Sequence, residues 1–188
     1  MTFDPMFDPM AIETKRLVIR PARMRDAEDM YEYSRDPEVA RHVLWDAHRS
    51  IRETRSVLRR MIRDYHYAPP FTYVIENKED GHVIGTIGLM TYNRANRSAE
   101  VGYSLSRSYW NQGLMTEALE AVVKFCFVEM KLNRVEAQHE VENPASGAVM
   151  RHAGMRHEGT LRKRLYNKGE FRDMELYAIL KEDFHAHT

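Results

Sequence analysis

Apolar and polar positions recur with different periods along the chain, and each change of period predicts an element. Leu17-Val18-Ile19-Arg20 is a short apolar run cut off by Pro21, the pattern of a strand. From about Met24 to Ser34 the apolar residues return at helical spacing. Asp26 is the predicted N-cap there, Glu28 and Asp29 occupy the first turn where carboxylates suit the helix dipole, and Asp36-Pro37 ends the segment. Ser50-Ile51-Arg52-Glu53 has the Ser-x-x-Glu form of a capping box. It opens a helix to about Tyr65 with Ile51, Val57, Leu58, Met61 and Ile62 facing inward, closed by Pro69-Pro70.

From Phe71 the period becomes that of strands. Phe71–Ile75, Val83–Tyr92 and Ser98–Leu105 are joined by turn-rich or polar segments, which predicts three antiparallel strands. Residues 113–130 form a helix that is apolar over most of its surface, with Glu117, Glu120 and Lys124 as its one polar stripe, and such a helix covers a sheet. A strand over Arg134–Val141, a helix over Pro144–Ala153 ending at Gly154, and a strand pair over Glu158–Tyr166 and Phe171–Leu180 complete the series. The order is that of a mixed α/β (α+β) domain spanning residues 14–184, with tails at 1–13 and 185–188. In the first tail, Phe3-Asp4-Pro5-Met6 repeats as Phe7-Asp8-Pro9-Met10. Asp-Pro pairs resist helix and strand alike, so the repeat reads as a mobile tail, or as a segment that docks Phe3 and Phe7 in a groove of the same or a neighbouring subunit.

A length of 188 residues fits one domain. Lys plus Arg and Asp plus Glu balance at 28 each, so no global field draws the protein to nucleic acid or to an anionic membrane. Cys126 is the single cysteine, which excludes an intramolecular disulfide and a Cys-rich zinc site and points to a reducing, cytoplasmic setting. No run approaches the ~18 apolar residues of a membrane span. Phosphate-loop, dinucleotide, zinc-protease and calcium-loop motifs are all missing, and the histidines do not cluster with carboxylates at metal-ligand spacing, so no metal is expected.

Chemistry is concentrated in two stretches. In the first, the strand ending at Leu105-Ser106 enters a polar loop, Arg107 to Gln112, and then a helix that opens at Gly113. Amides at a helix N-terminus bind anions, and a glycine lets a phosphate approach the backbone. In the second, Asn143 is placed to cap the helix that starts at Pro144, which puts Ser146 in its first turn.

Six segments, in order, resemble the GNAT superfamily of acyl-CoA-dependent N-acetyltransferases, and within it the RimJ/RimL-type branch. They are Lys15–Arg20, Ile84–Gly88, Ala99–Tyr103, Trp110–Ala118, Asn143–Ser146, and Glu158-Gly159 with the Gly169…Asp173 ending. The resemblance implies a mixed, mostly antiparallel sheet of about seven strands, flanked by helices and splayed between the strand ending near Leu105 and the one ending near Val141. It implies acetyl-CoA as co-substrate, with its pyrophosphate on the amides of Trp110, Asn111, Gln112, Gly113, Leu114, Met115 and Thr116. Asn143 and Ser146 would line the other side of the pantetheine arm. Trp110, Met115 and Met155 depart from the commonest residues of the superfamily at their positions, although Trp110 is frequent in this branch.

Acetyl transfer to an amine needs a proton acceptor, because amines are largely protonated at neutral pH. Glu100, mid-strand beside the splay, is the candidate base, with partial burial expected to raise its pKa; a structural pairing with Arg94 or Arg97 is the alternative. A backbone amide near Leu105–Ser106 would serve the oxyanion, and Ser146 would protonate the departing thiolate. Arg52, Arg55, Arg59 and Arg63 share a helix face and form either a solvated surface or a rim that steers an acidic peptide. The acceptor is expected to be a protein N-terminal α-amine, including that of a ribosomal protein. A small-molecule amine and a non-catalytic acyl-CoA-binding role are the alternatives, and a homodimer is the family expectation.

Overall fold

The computed structural model describes residues 11–65 and 71–185, so the Phe-Asp-Pro-Met repeat and Pro69-Pro70 lie outside the described residues. In chain order the strands are β1 Ile12–Glu13, β2 Leu17–Arg20, β3 Thr72–Asn77, β4 Val83–Asn93, β5 Ser98–Leu105, β6 Arg134–Glu140, β7 Arg156–Asn167 and β8 Glu170–Leu180. The helices are α1 Ala27–Ser34, α2 Pro37–Ala40, α3 Ile51–Asp64, α4 Leu114–Val128, α5 Pro144–His152 and α6 Lys181–His185. All eight strands join one sheet in the order β1-β2-β3-β4-β5-β6-β8-β7.

Every neighbouring pair is antiparallel except β5–β6, where α4 supplies the crossover that parallel strands require. That parallel pair is short. It is bonded only at Ser98–Arg134, Ala99–Val135 and Glu100–Glu136, and beyond these β5 continues alongside β4 while β6 continues alongside β8. The sheet therefore forks between β5 and β6 with Glu100 and Glu136 at its vertex, as the splayed architecture requires.

The core lies on both sides of this sheet and includes Ile19, Ile75 and Ile87 from the strands and Leu119, Val123 and Phe127 from α4, all buried. Side chains alternate along β6. Val135, Ala137 and His139 turn to one side, where the His139 ring lies so close to Gly147 of α5 that a Cβ there would stand 2.5 Å from Nε2. Glu136, Gln138 and Glu140 turn to the other.

Several local expectations need correction. Ile12 and Glu13, assigned to the tail, pair with Ile19 and Val18 as an eighth strand, one more than expected. Asp36-Pro37 does end α1, but it also starts α2, because the Asp36 side chain accepts from the Glu38 amide and Pro37 takes the first helical position. Asp26 does not cap α1 with its side chain. Its carboxylate accepts instead from the Arg23 amide at 2.7 Å and from the Arg20 guanidinium at 2.9 Å, a buried charge needing a buried partner. The box at α3 is half made: Ser50 Oγ accepts from the Glu53 amide, while the Glu53 carboxylate reaches the Arg49 amide. Of the predicted inward residues only Leu58 is fully buried, with Ile51, Val57, Met61 and Ile62 packed partly buried against the core.

Candidate active site

The fork opens into a cavity of about 660 Å³. Its walls are the loop before α4, Tyr103, Ser104 and Leu105 of β5, Asn143 and Ser146, and Glu38, Arg41, His42 and Val43 around α2. Arg107 of the loop pairs with Asp36 at the start of α2 at 3.1 Å.

The loop end is shaped by its own backbone. Arg107–Tyr109 make a single 3₁₀ turn, and Asn111 and Gly113 then adopt left-handed conformations with φ of +57° and +72°. Left-handed residues this close together have the form of a concave anion site. The Trp110 amide is excluded from it, because it donates to the Arg107 carbonyl at 3.1 Å. No side chain caps α4, so its first-turn amides keep their hydrogen-bonding capacity for something else. Neighbouring groups fix this shape. Arg16 Nη1 donates to the Gln112 carbonyl at 2.8 Å, Trp110 Nε1 to the Leu105 carbonyl at 2.8 Å, and the Tyr109 hydroxyl to Asp80 at 2.7 Å. Glu117, the one carboxylate in the first turn of α4, is turned away and neutralised by the Arg16 guanidinium at 2.6 Å. An uncapped helix start with left-handed amides ahead of it, and its own carboxylate diverted, suits a pyrophosphate.

The predicted donor-site residues are mostly brought together. Leu105, Trp110, Asn111, Gly113, Leu114, Met115, Thr116, Asn143 and Ser146 all line the cavity. Ser106 and Gln112 are not part of its wall. The Ser106 amide is spent on the Ile84 carbonyl at 2.7 Å, and the Gln112 side chain bonds the Ser108 carbonyl at 3.0 Å. Asn143 is the cap it was expected to be, its side-chain oxygen accepting from the Ser146 amide at 3.4 Å.

Ser146 has a partner across the fork that sequence reasoning missed. The Tyr103 hydroxyl donates to the Ser146 carbonyl at 3.0 Å and lies 2.9 Å from Ser146 Oγ. Burial pushes the Tyr103 phenol well above its ordinary range, with the Ser146 hydrogen bond pulling weakly the other way, so it stays protonated. Tyr103 stood in a strand motif, but nothing local distinguished it from a core tyrosine.

Glu100 sits at the vertex, half-buried, with Oε1 accepting from Gln138 Nε2 at 2.6 Å, and it is outside the cavity lining. Arg52, Arg55 and Arg59 are not brought to the cavity at all. They are exposed on α3, which packs on α1, and Arg55 pairs with Glu28. His42 and Glu140 are the other residues that the sequence did not reveal. His42 lines the cavity, and its Nδ1 lies 2.7 Å from Oε2 of Glu140, which is only 3% exposed. Among the described residues no group of three His, Cys, Asp or Glu side chains is placed to hold a metal ion, and no helix is long and apolar enough to cross a membrane.

Comparison with known proteins agrees with this geometry. The model of the acetyltransferase (GNAT) domain matches residues 16–156. The uncharacterized N-acetyltransferase p20 of Bacillus licheniformis is 31% identical over 174 residues, covering 91% of this chain and 96% of that protein. The [ribosomal protein uS5]-alanine N-acetyltransferase of Escherichia coli is 25% identical over 181 residues, 92% of each chain. A crystal structure of a GNAT-family acetyltransferase from Bacillus anthracis superposes with a TM-score of 0.82 at 30% identity, over 92% of this chain and 99% of that one. These matches set aside the reading of a non-catalytic acyl-CoA-binding domain. The chain belongs to the GNAT family of acetyltransferases and is an acetyl-CoA-dependent N-acetyltransferase.

Proposed function

We propose that this acetyltransferase modifies the α-amine at a protein N-terminus, by direct attack on acetyl-CoA with both substrates bound. One observation carries the reading: a single cavity at the fork is lined by the loop before α4, by Ser146 and by the turn after α2. Donor and acceptor can thus be held together in it. Glu142 lines this cavity, where its carboxylate suits an ammonium group, and the uS5-alanine N-acetyltransferase is a relative over nearly the whole chain.

Acetyl-CoA supplies an activated acyl group and a thiolate leaving group. The residues of the chain do the rest. Amides from Asn111 to Thr116 hold the diphosphate, since that of Trp110 is spent on the Arg107 carbonyl at 3.1 Å. Leu105 and Asn143 flank the arm, and an amide near Leu105 serves the carbonyl oxygen. Ser146, coupled to Tyr103, delivers a proton to the sulfur. The acceptor must also lose a proton before it attacks; Glu100 at the vertex, with Oε1 accepting from Gln138, is the sequence-derived candidate and would have to act through water. The same reading carries the homodimer expected of the family, and a sedimentation coefficient of a single chain would remove it.

The test combines CoA titration by calorimetry with thiol release across an acceptor panel. Peptides with a free N-terminal alanine or serine should turn over, and the same peptides with blocked N-termini but free lysines should not. Turnover confined to polyamines, amino acids or aminoglycosides would replace the protein acceptor by a small molecule.

A further inference from the structure

The cluster of His42, Glu140 and Asn167 has no part in the scheme above, yet it borders the same cavity. Glu140, the last residue of β6, accepts from Asn167 Nδ2 through Oε1 at 2.7 Å and meets His42 Nδ1 through Oε2 at 2.7 Å. Asn167, the last residue of β7, is itself buried and also donates to the Val43 carbonyl, fixing the turn that carries His42. Three segments far apart in sequence therefore converge on one buried carboxylate. A carboxylate removed from water needs such partners, and both of its oxygens have one.

The arrangement fixes the histidine tautomer. Burial pushes the Glu140 carboxyl up, but the hydrogen bonds from His42 and Asn167 and the charges of His42 and Arg172 more than offset this and hold it below the usual carboxylate range. An ionised Glu140 only accepts, so His42 Nδ1 carries a hydrogen and Nε2 is the nitrogen left for other partners. A base oriented by a buried carboxylate is the arrangement that activates amines and hydroxyls elsewhere.

Resting on the acetyl-transfer reading, we propose that His42 Nε2 is the base that takes the proton of the acceptor ammonium, with Glu140 and Asn167 as positioning residues. Glu100 is less well placed. It lies outside the cavity lining, engages Gln138, and stands opposite Glu136, which precedes Glu140 by four strand residues or about 13 Å. His42 shares the cavity with Ser146.

His42 Nε2 accepts one proton from R–NH₃⁺, and the resulting imidazolium is stabilised by the Glu140 carboxylate. The neutral nitrogen forms the N–C bond as the C–S bond breaks. Ser146 Oγ gives its proton to sulfur and is reprotonated by the second proton lost from nitrogen, and His42 releases the first to solvent. The other charged or titratable groups around this cluster are Glu38, Arg41, Glu142 and His152 of the cavity lining, with Glu38 and Arg41 paired at 3.6 Å, and Arg172, whose charge acts on Glu140.

His42→Asn tests this, because the asparagine amide retains a donor to Glu140 but has no counterpart of Nε2. The probes are a peptide with free N-terminal alanine and an acid hydrazide, whose nucleophilic nitrogen is neutral throughout the range. We expect His42→Asn to lose about 100-fold in kcat/KM on the peptide, with the acidic limb of its pH profile abolished. CoA affinity should be unchanged, and the loss on the hydrazide should be under about fivefold, a selective rescue that general misfolding would not give. Glu140→Gln should lower kcat/KM on the peptide more than on the hydrazide, since it removes the carboxylate that orients the ring. Nitrogen NMR of the histidine ring should show the Nδ1–H tautomer. A wild-type pH profile in His42→Asn, equal losses on both probes, or an Nε2–H tautomer would overturn the proposal. So would loss of the acidic limb in Glu100→Gln alone. Absence of CoA binding and turnover in the wild type would instead defeat the acetyl-transfer reading, and this proposal with it.

Discussion

The hydroxyl of Tyr103 on β5 and Oγ of Ser146 on α5 stand 2.9 Å apart, joined across the gap that separates β5 from β6. The buried phenol stays protonated and the serine lines the cavity, and on the proposed reading the pair hands a proton to the departing thiolate. Ser146→Ala should therefore lower kcat by about 100-fold while leaving the CoA affinity within about threefold. Tyr103→Phe should do the same, and the double variant should lose little more than either single one, because the two act as a unit. Thiol release together with calorimetric CoA titration measures this, and additive losses would separate their roles.

A different tether sets the shape of the donor end. Glu117 accepts from Thr14 Oγ1 at 2.6 Å, from the Arg16 amide at 2.8 Å and from Arg16 Nε at 2.6 Å, while Arg16 also holds the Gln112 carbonyl. Burial pushes the Glu117 carboxyl up, but these hydrogen bonds and the Arg16 charge outweigh it and leave it below its ordinary value of 4.5. A carboxylate whose pKa is depressed by folding adds stability above its unfolded pKa and loses it as pH falls through the folded one. Glu117→Gln should thus lower Tm at pH 7, and the gap from wild type should close as pH drops below about 4.5. The same substitution should raise KM for acetyl-CoA, since the loop loses an anchor.

Cys126 lies on the buried face of α4 with no exposed surface, and burial pushes its thiol up to about 12. A thiol reagent acts on the thiolate, so the native protein should give no colour at pH 8 and one equivalent after denaturation. Release of CoA can then be followed without background from the enzyme, and reactivity in the native state would show that α4 opens.

Sequence periodicity reveals elements long enough to have a period. β5 was legible from the alternation of Ala99, Val101 and Tyr103 with polar or small residues, and α4 from its apolar length. The two residues of β1 and the four of α2 are too short for that signal, and their positions come from pairing and from Asp36 as a cap. The donor loop was legible because strand, polar turn and glycine-led helix follow one another locally. His42 and Glu140 are 98 positions apart, and Glu140 and Asn167 are 27 apart, so no local pattern reports their contact. Likewise the polar tips of Trp110 and Gln112 belong to the loop's own hydrogen bonds, a fact visible only once the chain has turned back on itself.

Gly113 offers a test of that loop alone. Its φ of +72° lies in the left-handed region, and a Cβ there would find only Arg16 Nη2, at 3.6 Å, so crowding is not the obstacle. Strain is: an alanine held in this conformation costs about 1–2 kcal/mol. The chain can relieve it by rotating the peptide toward ordinary helical angles, which turns the amides ahead of α4 away from the cavity. Gly113→Ala should therefore weaken CoA binding about tenfold, the equivalent of some 1.4 kcal/mol. Because the position lies outside the core, Tm should fall by only a few degrees. Gly113→Asn, which tolerates the left-handed region better, should recover much of the affinity. Calorimetry on the three proteins decides it: equal affinities would mean that the left-handed turn does not shape the anion site.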